Sequence, residues 1–482
     1  MSVVVKVAIV GGGAAGLFAS LMLARAGHEV VVLEQESIDP APDVEVAAAS
    51  AYRPTAPQIV QPHIIMARCR DLLLARLPDV YDGMLAAGVV EAPVSTQMPP
   101  TLSDRGPWPG DDQLTMLMTR RSTVDWVLQR WAIAEPAVTL LCAVRVVGLM
   151  TTGGEPPHVT GVRTDQGDVA ADLVVDATGR RSPIDSWLDE IGAHPSATWS
   201  AECGVAYFSR HYRLQPGVEL PGLPTTRMVM GLDEFTVGLW GADNDAMQLA
   251  VVPLAADRRF RALKDPDVFT AVLRTVAPYR AWLDALDPIS GVFQMAGLHN
   301  TMRRLVVDGA AVVTGLHAVG DSVCTTNPTL GRGMSLAVLG AADLVDTIDE
   351  HGDDWTAQAL ALDDAVADHV VPFYEDQAAI DSARLAMLRH TIFDAPAPDP
   401  PPVDSSRVTY AQLRTAAQYD PTAFRGFWKI QSMVRQPDDV YTDPRVVAST
   451  QAVLRHNASG LPTAQPTRQQ LLAALTGQTS TR

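Results

Sequence analysis

Lysine is the scarcest charged residue of this chain. Only Lys6, Lys264 and Lys429 occur among the 37 basic residues, and arginine supplies the rest. The 55 acidic residues leave a formal net charge of −18. Because such a surface repels phosphate backbones and anionic headgroups, we expect neither nucleic acid nor an anionic membrane as the main partner.

Cysteine is also scarce, and long apolar runs are missing. The four cysteines, Cys69, Cys142, Cys203 and Cys324, form neither a CxxC pair nor a metal-binding spacing. They are predicted to be buried thiols of a reducing compartment, with no disulfide framework and no metal site. No apolar segment reaches the ~18 residues that a membrane-spanning helix needs. The first core strand begins almost at the N-terminus and leaves no room for a signal peptide, so we expect a cytoplasmic protein.

Residues 3–34 carry the first motif. An apolar strand leads into the turn Gly11-Gly12-Gly13-Ala14-Ala15-Gly16, a helix of small residues follows, and a second strand ends on Glu34. Gly11 permits the tight turn, Gly13 allows a pyrophosphate to approach the backbone, and Gly16 lets the helix pack on the sheet. The helix N-terminus offers free N–H groups to phosphates, and Glu34 is placed to bind a ribose hydroxyl. The motif therefore predicts a dinucleotide site for NAD or FAD.

Two further motifs follow apolar strands. One strand ends at Asp176-Ala177-Thr178-Gly179, and another ends at Gly320-Asp321, followed by Pro328 and by Gly331-Arg332-Gly333-Met334. A carboxylate at a strand end, such as that of Asp321, can accept hydrogen bonds from sugar-like hydroxyls. The two glycines of the last segment let the backbone approach a flat ring, and the helix that begins near residue 333 points its positive end across the loop.

Together the three motifs resemble those of FAD-dependent monooxygenases of the para-hydroxybenzoate hydroxylase fold (group A-like), over essentially the whole chain. In that family the first motif binds the ADP half of FAD, the Gly-Asp pair reaches the ribityl chain, and the proline–glycine loop lies beside the isoalloxazine. The resemblance implies that Glu34 binds the adenosine ribose of FAD. Segments 57–65, 121–126 and 176–182 look closest to bacterial natural-product epoxidases and hydroxylases.

The predicted fold is α/β: a Rossmann-like FAD-binding domain with an inserted, mostly antiparallel β-sheet substrate domain and C-terminal helices. Short strand-like segments with intervening turn signals mark the insertion. We expect the first part of the FAD-binding domain at 1–195 and the substrate sheet at 196–300. The second part of the FAD-binding domain, with the following helices, is expected at 301–394, and a Pro-rich linker with a C-terminal helical region at 395–482.

Several side chains outside the glycine motifs are candidates for the site. Arg121 matches a cofactor-contacting arginine at a helix start, and Arg53 is expected at the pyrophosphate, with Arg68 as its rival. His63 matches a histidine near the flavin and either contributes to catalysis or is a buried structural residue, whereas His317 is expected in the core. The predicted cofactor-binding residues are Gly11, Gly13, Ala14, Ala15, Gly16, Glu34, Arg53, Arg121, Asp176, Gly179, Gly320, Asp321, Pro328, Gly331, Gly333 and Met334.

The middle motif departs from the family pattern. Hydroxylases of this family usually have Asp-Gly where this chain has Thr178-Gly179, and the carboxylate stands two residues earlier, at Asp176. The departure weakens the expectation of direct NADPH use, so NAD(P)H and a separate flavin reductase both remain possible electron donors. A second GxGxxG is missing, so an enzyme of the disulfide-reductase type is not expected.

The implied activity is a monooxygenase with O2 as co-substrate. One oxygen atom would pass from a flavin C4a-hydroperoxide to a bulky apolar substrate, by epoxidation or hydroxylation. Epoxidation needs no acid–base residue, so no catalytic base is assigned, whereas hydroxylation of a phenol would gain from one. The inserted sheet is expected to form the roof of the substrate site, although the same residues would suit a plain sheet core. They are Val205, Tyr207, Phe208, Met228, Met230, Leu239 and Trp240.

Three alternatives remain open. Flavin-dependent halogenases of related fold use a lysine between the first motif and a Trp-x-Trp-x-Ile-Pro segment, but this chain has no lysine from residue 7 to 263 and no such segment. Another FAD oxidoreductase or dehydrogenase, such as a prenyl reductase, lacks supporting motifs. A non-catalytic flavin-binding ligand carrier is the third alternative. The sequence leaves the oligomeric state open.

Overall fold

The computed structural model describes residues 4–219, 221, 229–399, 404–456 and 465–477. Val3, the first residue of the predicted strand, and Met228, a predicted roof residue, lie outside these ranges. The helices of the described residues are α1 Ala14–Arg25, α2 Val44–Ala49, α3 Ala67–Arg76, α4 Pro78–Ala86, α5 Arg121–Ala134, α6 Ile184–Glu190, α7 Pro266–Thr275, α8 Ala277–Asp284, α9 Gly333–His351, α10 Trp355–His369, α11 Val371–Phe393, α12 Tyr410–Ala416, α13 Pro421–Gln431, α14 Pro437–Tyr441, α15 Pro444–His456 and α16 Arg468–Leu475.

The strands form several separate sheets. In chain order they are β1 Lys6–Val10, β2 Glu29–Glu34, β3 Ile64–Ile65, β4 Val90–Ala92, β5 Met116–Met118, β6 Val138–Cys142, β7 Val146–Thr151, β8 Val159–Thr164, β9 Gly167–Ala170, β10 Leu173–Asp176, β11 Ala197–Glu202, β12 Tyr207–Leu214, β13 Val229–Gly231, β14 Phe235–Gly241, β15 Ala246–Pro253, β16 Leu286–Pro288, β17 Phe293–Met295, β18 His299–Arg304, β19 Val306–Val307, β20 Ala310–Ala311, β21 Leu316–Ala318 and β22 Cys324–Thr325.

A parallel sheet holds the three motifs. Its strand order is β21-β10-β1-β2-β6, and each strand pairs in parallel with its neighbours. The strands are rich in valine and leucine, as expected of a parallel sheet with helices on both faces. Because the carboxyl ends of parallel strands meet at one edge, the turns after β1, β10 and β21 become neighbours there. The α/β fold predicted from the sequence is confirmed.

The inserted segment forms a mostly antiparallel sheet of order β13-β14-β15-β12-β16, with β17 beside β12. Side chains alternate between its two faces. One face packs on α7, α8 and α16 in a core that includes Phe208, Leu239 and Phe269. The other face lines the cavity described below.

Two helical segments of the chain are interrupted or shortened by local contacts. Helix α3 begins at Ala67 and not at His63, because residues 64–65 pair with β5. Residues 265–286 form α7, α8 and the start of β16. Val276 between the helices is extended, and Pro278 in the first turn of α8 has no N–H to continue α7.

The C-terminal region packs as a small helical unit. Helices α12 to α15 share a core that includes Leu413, Ile430 and Val447. Of the predicted linker, residues 395–399 and 404–409 are neither helix nor strand, and residues 400–403 lie outside the described ranges. Over the residues described, we find no helix that is both long and apolar enough to cross a membrane.

Candidate functional site

A cavity of about 2060 Å³ connects the motif edge of the parallel sheet with the inserted sheet. Ligand pockets for one small molecule usually measure roughly 300–1,000 Å³, so this cavity has room for a large cofactor together with a substrate. Its walls come from the motif turns, one face of the antiparallel sheet, α11 and the C-terminal helices. Most predicted site residues line it: Gly11, Gly13, Ala14, Ala15, Glu34, Arg53, His63, Arg121, Gly179, Asp321, Pro328, Gly331, Gly333 and Met334.

The first glycine turn is tightly packed on one side and open on the other. A Cβ on Gly11 would lie 2.6 Å from the carbonyl oxygen of Ala177, and one on Gly16 would lie 2.0 Å from the carbonyl oxygen of Gly11. A Cβ on Gly13, by contrast, would meet no atom within 4 Å. Gly16 therefore packs α1 on the sheet, and Gly13 leaves free space at the N-terminus of α1.

Glu34 and Arg53 form a buried charged pair beside this turn. Oε2 of Glu34 accepts a hydrogen bond from the N–H of Gly12 at 2.7 Å and lies 3.2 Å from Nη2 of Arg53. Arg53 also donates through Nε to Glu36 at 2.7 Å, while its Nη1 is buried and has no partner among the described residues. The rival, Arg68, donates to the carbonyl of Met433 instead, so of these two arginines Arg53 is the one that lines the cavity.

The middle motif holds its own loop. Oδ1 of Asp176 accepts hydrogen bonds from the N–H of Thr178 at 2.9 Å and from its hydroxyl at 2.6 Å, and Oδ2 accepts one from Ser182. Asp176 is fully buried and does not line the cavity. Thr178 and Gly179 do line it, and the N–H of Gly179 donates to the hydroxyl of Ser322. Asp176 therefore shapes the turn from behind and does not offer a contact to a ligand.

Asp321 follows β21, an outermost strand of the parallel sheet, and lines the cavity. Burial raises the pKa of its carboxyl, although the charges of Arg121 and Arg180 oppose that shift. Arg121 lines the cavity and donates through Nε to Asp125 at 2.6 Å. Gly320 does not line the cavity, since a Cβ there would lie 2.6 Å from that of Ala15.

The Pro328–Gly333 loop leads into α9. Gly331 has φ +69°, a left-handed conformation that favours glycine, and a Cβ there would lie 2.6 Å from Cε of Met66. A Cβ on Gly333 would meet no atom within 4 Å, so the N-terminus of α9 faces open space, as that of α1 does. Gln431 of α13 donates to the carbonyl of Leu330 at 2.6 Å and so anchors the loop to a C-terminal helix.

A buried hydrogen-bond network, which sequence reasoning missed, joins the sheet to this loop. The hydroxyl of Tyr207 donates to Oδ1 of Asn327, and Nδ2 of Asn327 donates to Asp381 of α11 at 2.8 Å. Asn300 donates to the other oxygen of Asp381 at 2.8 Å. Burial and the charge of Asp381 raise the pKa of Tyr207 well above its ordinary value, so the phenol stays protonated.

His63 lines the cavity with a neutral ring. Its Nδ1 lies 2.9 Å from the carbonyl oxygen of Gln61, which can only accept, so Nδ1 carries the proton and Nε2 is an acceptor. Burial and the charge of Arg121 lower the pKa of His63 to about 4. His317 lies in the core as predicted, 3% exposed and 3.1 Å from Gln358.

The predicted roof divides between the two faces of the inserted sheet. Val205, Tyr207, Met230 and Trp240 line the cavity. Phe208 and Leu239 point to the opposite face and belong to the core, because side chains of a strand alternate. For these two the plain-core interpretation is correct.

Comparisons with known proteins agree with this geometry. The family described as "FAD binding domain" matches residues 4–40. Protein Rv3254 of Mycobacterium tuberculosis is 27% identical over 363 residues, which is 70% of this chain and 71% of that protein. Among solved structures, PqsL of Pseudomonas aeruginosa, a probable FAD-dependent monooxygenase, has a TM-score of 0.57 and 17% identity, covering 81% of this chain and 100% of its own. CmlS, a flavin-dependent halogenase, has a TM-score of 0.58 and 18% identity, and the match covers 95% of this chain and 78% of CmlS.

The chain has the fold of the FAD-dependent monooxygenases. The cavity of this monooxygenase fold also suits FAD in its details. Free space lies at the N-termini of α1 and α9, where Gly13 and Gly333 have no side chain, and helix N-termini attract anionic groups. The unpartnered Nη1 of Arg53 provides a further donor at the nucleotide end.

The C-terminal helices form a wall of the site that sequence reasoning did not assign to it. Phe427 and Trp428 of α13 line the cavity with ring centroids 5.6 Å apart. Arg384 of α11 and Arg414 of α12 also line it. The adjacent aromatic residues near the end of the amphipathic helix α13 were the sequence feature that could have indicated this wall. The parts of the cavity that they face lie mostly more than a hundred residues away in the sequence.

Proposed function

We propose that this protein is an FAD-dependent monooxygenase, an oxidoreductase that transfers one oxygen atom of O2 to a bulky, largely apolar organic substrate. The observation that carries the proposal is the continuity of the cavity. It runs from the N-terminus of α1, past Asp321 and the Pro328–Gly333 loop, to one face of the antiparallel sheet. A cofactor held at the motif edge and a substrate under the sheet would therefore be in contact.

The proposal assigns residues of this chain to the pyrophosphate, the two sugar-like parts and the ring system of FAD. Gly13 and the N-terminus of α1 would receive the pyrophosphate, with Arg53 beside it. Glu34 would accept from the adenosine ribose and Asp321 from the ribityl chain. The Pro328–Gly333 loop would lie along the ring system, which, when reduced, supplies the electrons that activate O2.

Of the described side chains around the substrate space, His63, Tyr207 and Cys203 are poorly suited to remove a proton at neutral pH. His63 has a pKa of about 4 and is a weak base. Burial and the charge of Asp381 raise the pKa of Tyr207 well above its ordinary value and that of Cys203 to about 12, so both stay protonated. A reaction that needs no base is therefore favoured, and we propose epoxidation of an alkene ahead of hydroxylation of a phenol.

Halogenation is the second candidate, because the fold similarity extends to CmlS. The related halogenases use a lysine, and the three lysines here, Lys6, Lys264 and Lys429, are all exposed and away from the described walls of the cavity. This argues for oxygen transfer to the substrate. A role in natural-product metabolism and a cytoplasmic location stay predictions of the sequence.

The test is product analysis by mass spectrometry. FAD-loaded protein is incubated with a panel of alkene and aromatic substrates under isotopically labelled O2, once with NADPH alone and once with NADPH and an added flavin reductase. We expect one labelled oxygen atom in a product. Product with NADPH alone identifies direct reduction, and product only with the reductase identifies a partner protein as the electron donor.

Two controls separate the alternatives. Halide added to the same reactions, with a chlorinated or brominated product and no labelled oxygen, would support a halogenase. If FAD binds but neither reductant yields any product, and anaerobic reduction followed by O2 gives only immediate reoxidation, the protein is a flavin-binding carrier and the proposal fails.

A further inference from the structure

Two arginines face the substrate side of the cavity. Arg384 lies on α11 and Arg414 on α12, and both line the cavity next to β13 and β14. A Cβ on Gly231 would lie 3.8 Å from Nη1 of Arg414 and 3.9 Å from Nη2 of Arg384. The two guanidinium groups therefore face the same space above Gly231, which has no side chain to fill it. We call these two residues the arginine pair.

The contacts of the arginine pair are with neutral groups. Nη2 of Arg384 donates to the carbonyl of Leu232 at 2.7 Å and lies within hydrogen-bond reach of Phe235 and Thr236. Nη2 of Arg414 donates to the carbonyl of Val229 at 3.3 Å. These bonds orient both side chains, and among the described residues only Nη2 of each guanidinium group donates a hydrogen bond.

No carboxylate pairs with either arginine among the described residues. The residues outside the described ranges contain no aspartate or glutamate, so no acidic side chain is hidden there. The charge of Asp233 acts on Arg384 to raise its pKa, but this carboxylate is exposed and accepts a hydrogen bond from Gln465. By contrast Arg407, also at the cavity wall, pairs with Asp438 at 2.6 Å.

Two like charges so close together are unfavourable without a counter-ion. Burial, and then the charge of Arg414, lower the pKa of Arg384 to about 10. Arg384 nevertheless remains protonated at neutral pH, since that value is well above 7. A positive site with this cost to stability is typical of residues that serve a ligand.

We propose that the arginine pair binds an anionic group of the substrate, a carboxylate or a phosphate ester, so that the substrate is an amphipathic acid. Arginine forks match the paired oxygens of both groups. The apolar body would lie against Val205, Tyr207 and Trp240. This inference rests on the proposed function, and it specifies the substrate class of the same site.

Isothermal titration calorimetry of the FAD-loaded protein tests this. The probes are naphthalene-2-acetate, 2-naphthyl phosphate and the neutral naphthalene-2-acetamide. We expect an anion to bind at least about tenfold more tightly than the amide. The preference should be lost in Arg414→Gln and kept in Arg407→Gln, the matched variant at a cavity arginine that already has a carboxylate partner. The phosphate and the carboxylate arms identify which anion is preferred.

The outcomes are separable. Equal affinity for the amide and the acids, or no binding of either anion, overturns the proposal. So does an anion preference that survives in Arg414→Gln, and a lower melting temperature in that variant than in Arg407→Gln would then assign Arg414 a structural role. The heat of binding does not depend on oxygen transfer. The anion site can therefore be confirmed even if the monooxygenase proposal fails, and the monooxygenase proposal can be confirmed even if the anion site is absent.

Discussion

Gly13 and Gly333 each leave open space at the N-terminus of a helix that points to the cavity. A methyl group on Gly13 would occupy the place where a pyrophosphate approaches the backbone. We therefore expect Gly13→Ala to weaken FAD binding about tenfold or more, equivalent to ~1.4 kcal/mol. The melting temperature of the FAD-free protein should not change, since the new Cβ meets no atom. Flavin fluorescence titration and thermal melting measure the two quantities.

The matched control is Gly241→Ala on β14. A Cβ there also meets nothing within 4 Å, but Gly241 does not line the cavity. It should leave FAD affinity unchanged. If Gly13→Ala binds FAD as tightly as this control, the pyrophosphate does not lie at the N-terminus of α1.

Tyr207 links the sheet to the Pro328–Gly333 loop through one hydroxyl. In Tyr207→Phe, Oδ1 of buried Asn327 loses that donor and keeps only a long contact from the N–H of Thr329 at 3.4 Å. An unsatisfied buried acceptor costs about 1–3 kcal/mol. We expect faster amide hydrogen exchange in residues 325–333 and weaker FAD binding. The control is Tyr212→Phe, on the opposite face of β12, which should change neither quantity. Equal hydrogen exchange in the two variants would show that the hydroxyl of Tyr207 does not stabilise the loop.

The inserted sheet is tied to α5 by a buried ion pair. Asp243, in the turn between β14 and β15, accepts from Nη2 of Arg120 at 2.5 Å and from its N–H at 2.6 Å, and it also accepts from Thr123 at 2.9 Å. Both charged side chains are almost fully buried. The sheet thereby keeps a defined position over the motif edge.

Asp243→Asn removes one charge and leaves the buried guanidinium of Arg120 with the half-exposed Glu45 as its remaining ionic partner. We expect a loss of about 3–5 kcal/mol in the free energy of unfolding. The control is Asp284→Asn in the exposed pair with Arg274, which should cost about 0–1 kcal/mol. Chemical denaturation measures both, and a cost for Asp243→Asn as small as that of the control would contradict the role of this pair.

The whole molecule should lose stability in mild acid. Burial lowers the pKa of His63, His211 and His317 to about 4, so the folded state holds these rings neutral. The unfolded chain binds protons on them near pH 6.5. The stabilisation is therefore complete above pH 6.5 and is lost as the pH falls from 6.5 towards 4. Burial raises the pKa of Asp321 and Asp381, which acts in the opposite direction.

His317→Gln isolates one of these contributions, because His317 lies in the core and not at the cavity. When the pH is lowered from 7 to 5, the free energy of unfolding of the variant should fall by about 2 kcal/mol less than that of the wild type. Denaturant titrations at the two pH values measure the difference. The exposed His390→Gln serves as the reference, and an equal pH dependence in both variants would mean that His317 takes up its proton in the folded state.

Parts of the site could be read from the sequence because each lies within one short segment. Gly11, Gly13 and Gly16 act within a single strand–turn–helix unit, and the Pro328–Gly333 loop likewise leads directly into its helix. The face of a strand was less certain: Phe208 and Leu239 were grouped with Tyr207 although they point into the opposite core. The composition indicates an apolar sheet. It does not indicate which of the two alternating sets of side chains faces the cavity, because that depends on a contact with another part of the fold.

The sequence by itself determined the dinucleotide turn, the α/β class and the order of the three motifs, because backbone geometry and hydrophobic period act over neighbouring residues. Only the tertiary structure decided which side chains meet at the cavity. Asp176 turned inward to its own loop, Tyr207 met Asn327 and Asp381, and Arg384 came to face Arg414. Such contacts depend on how sheets and helices pack across more than a hundred residues of chain, and no local pattern records that packing.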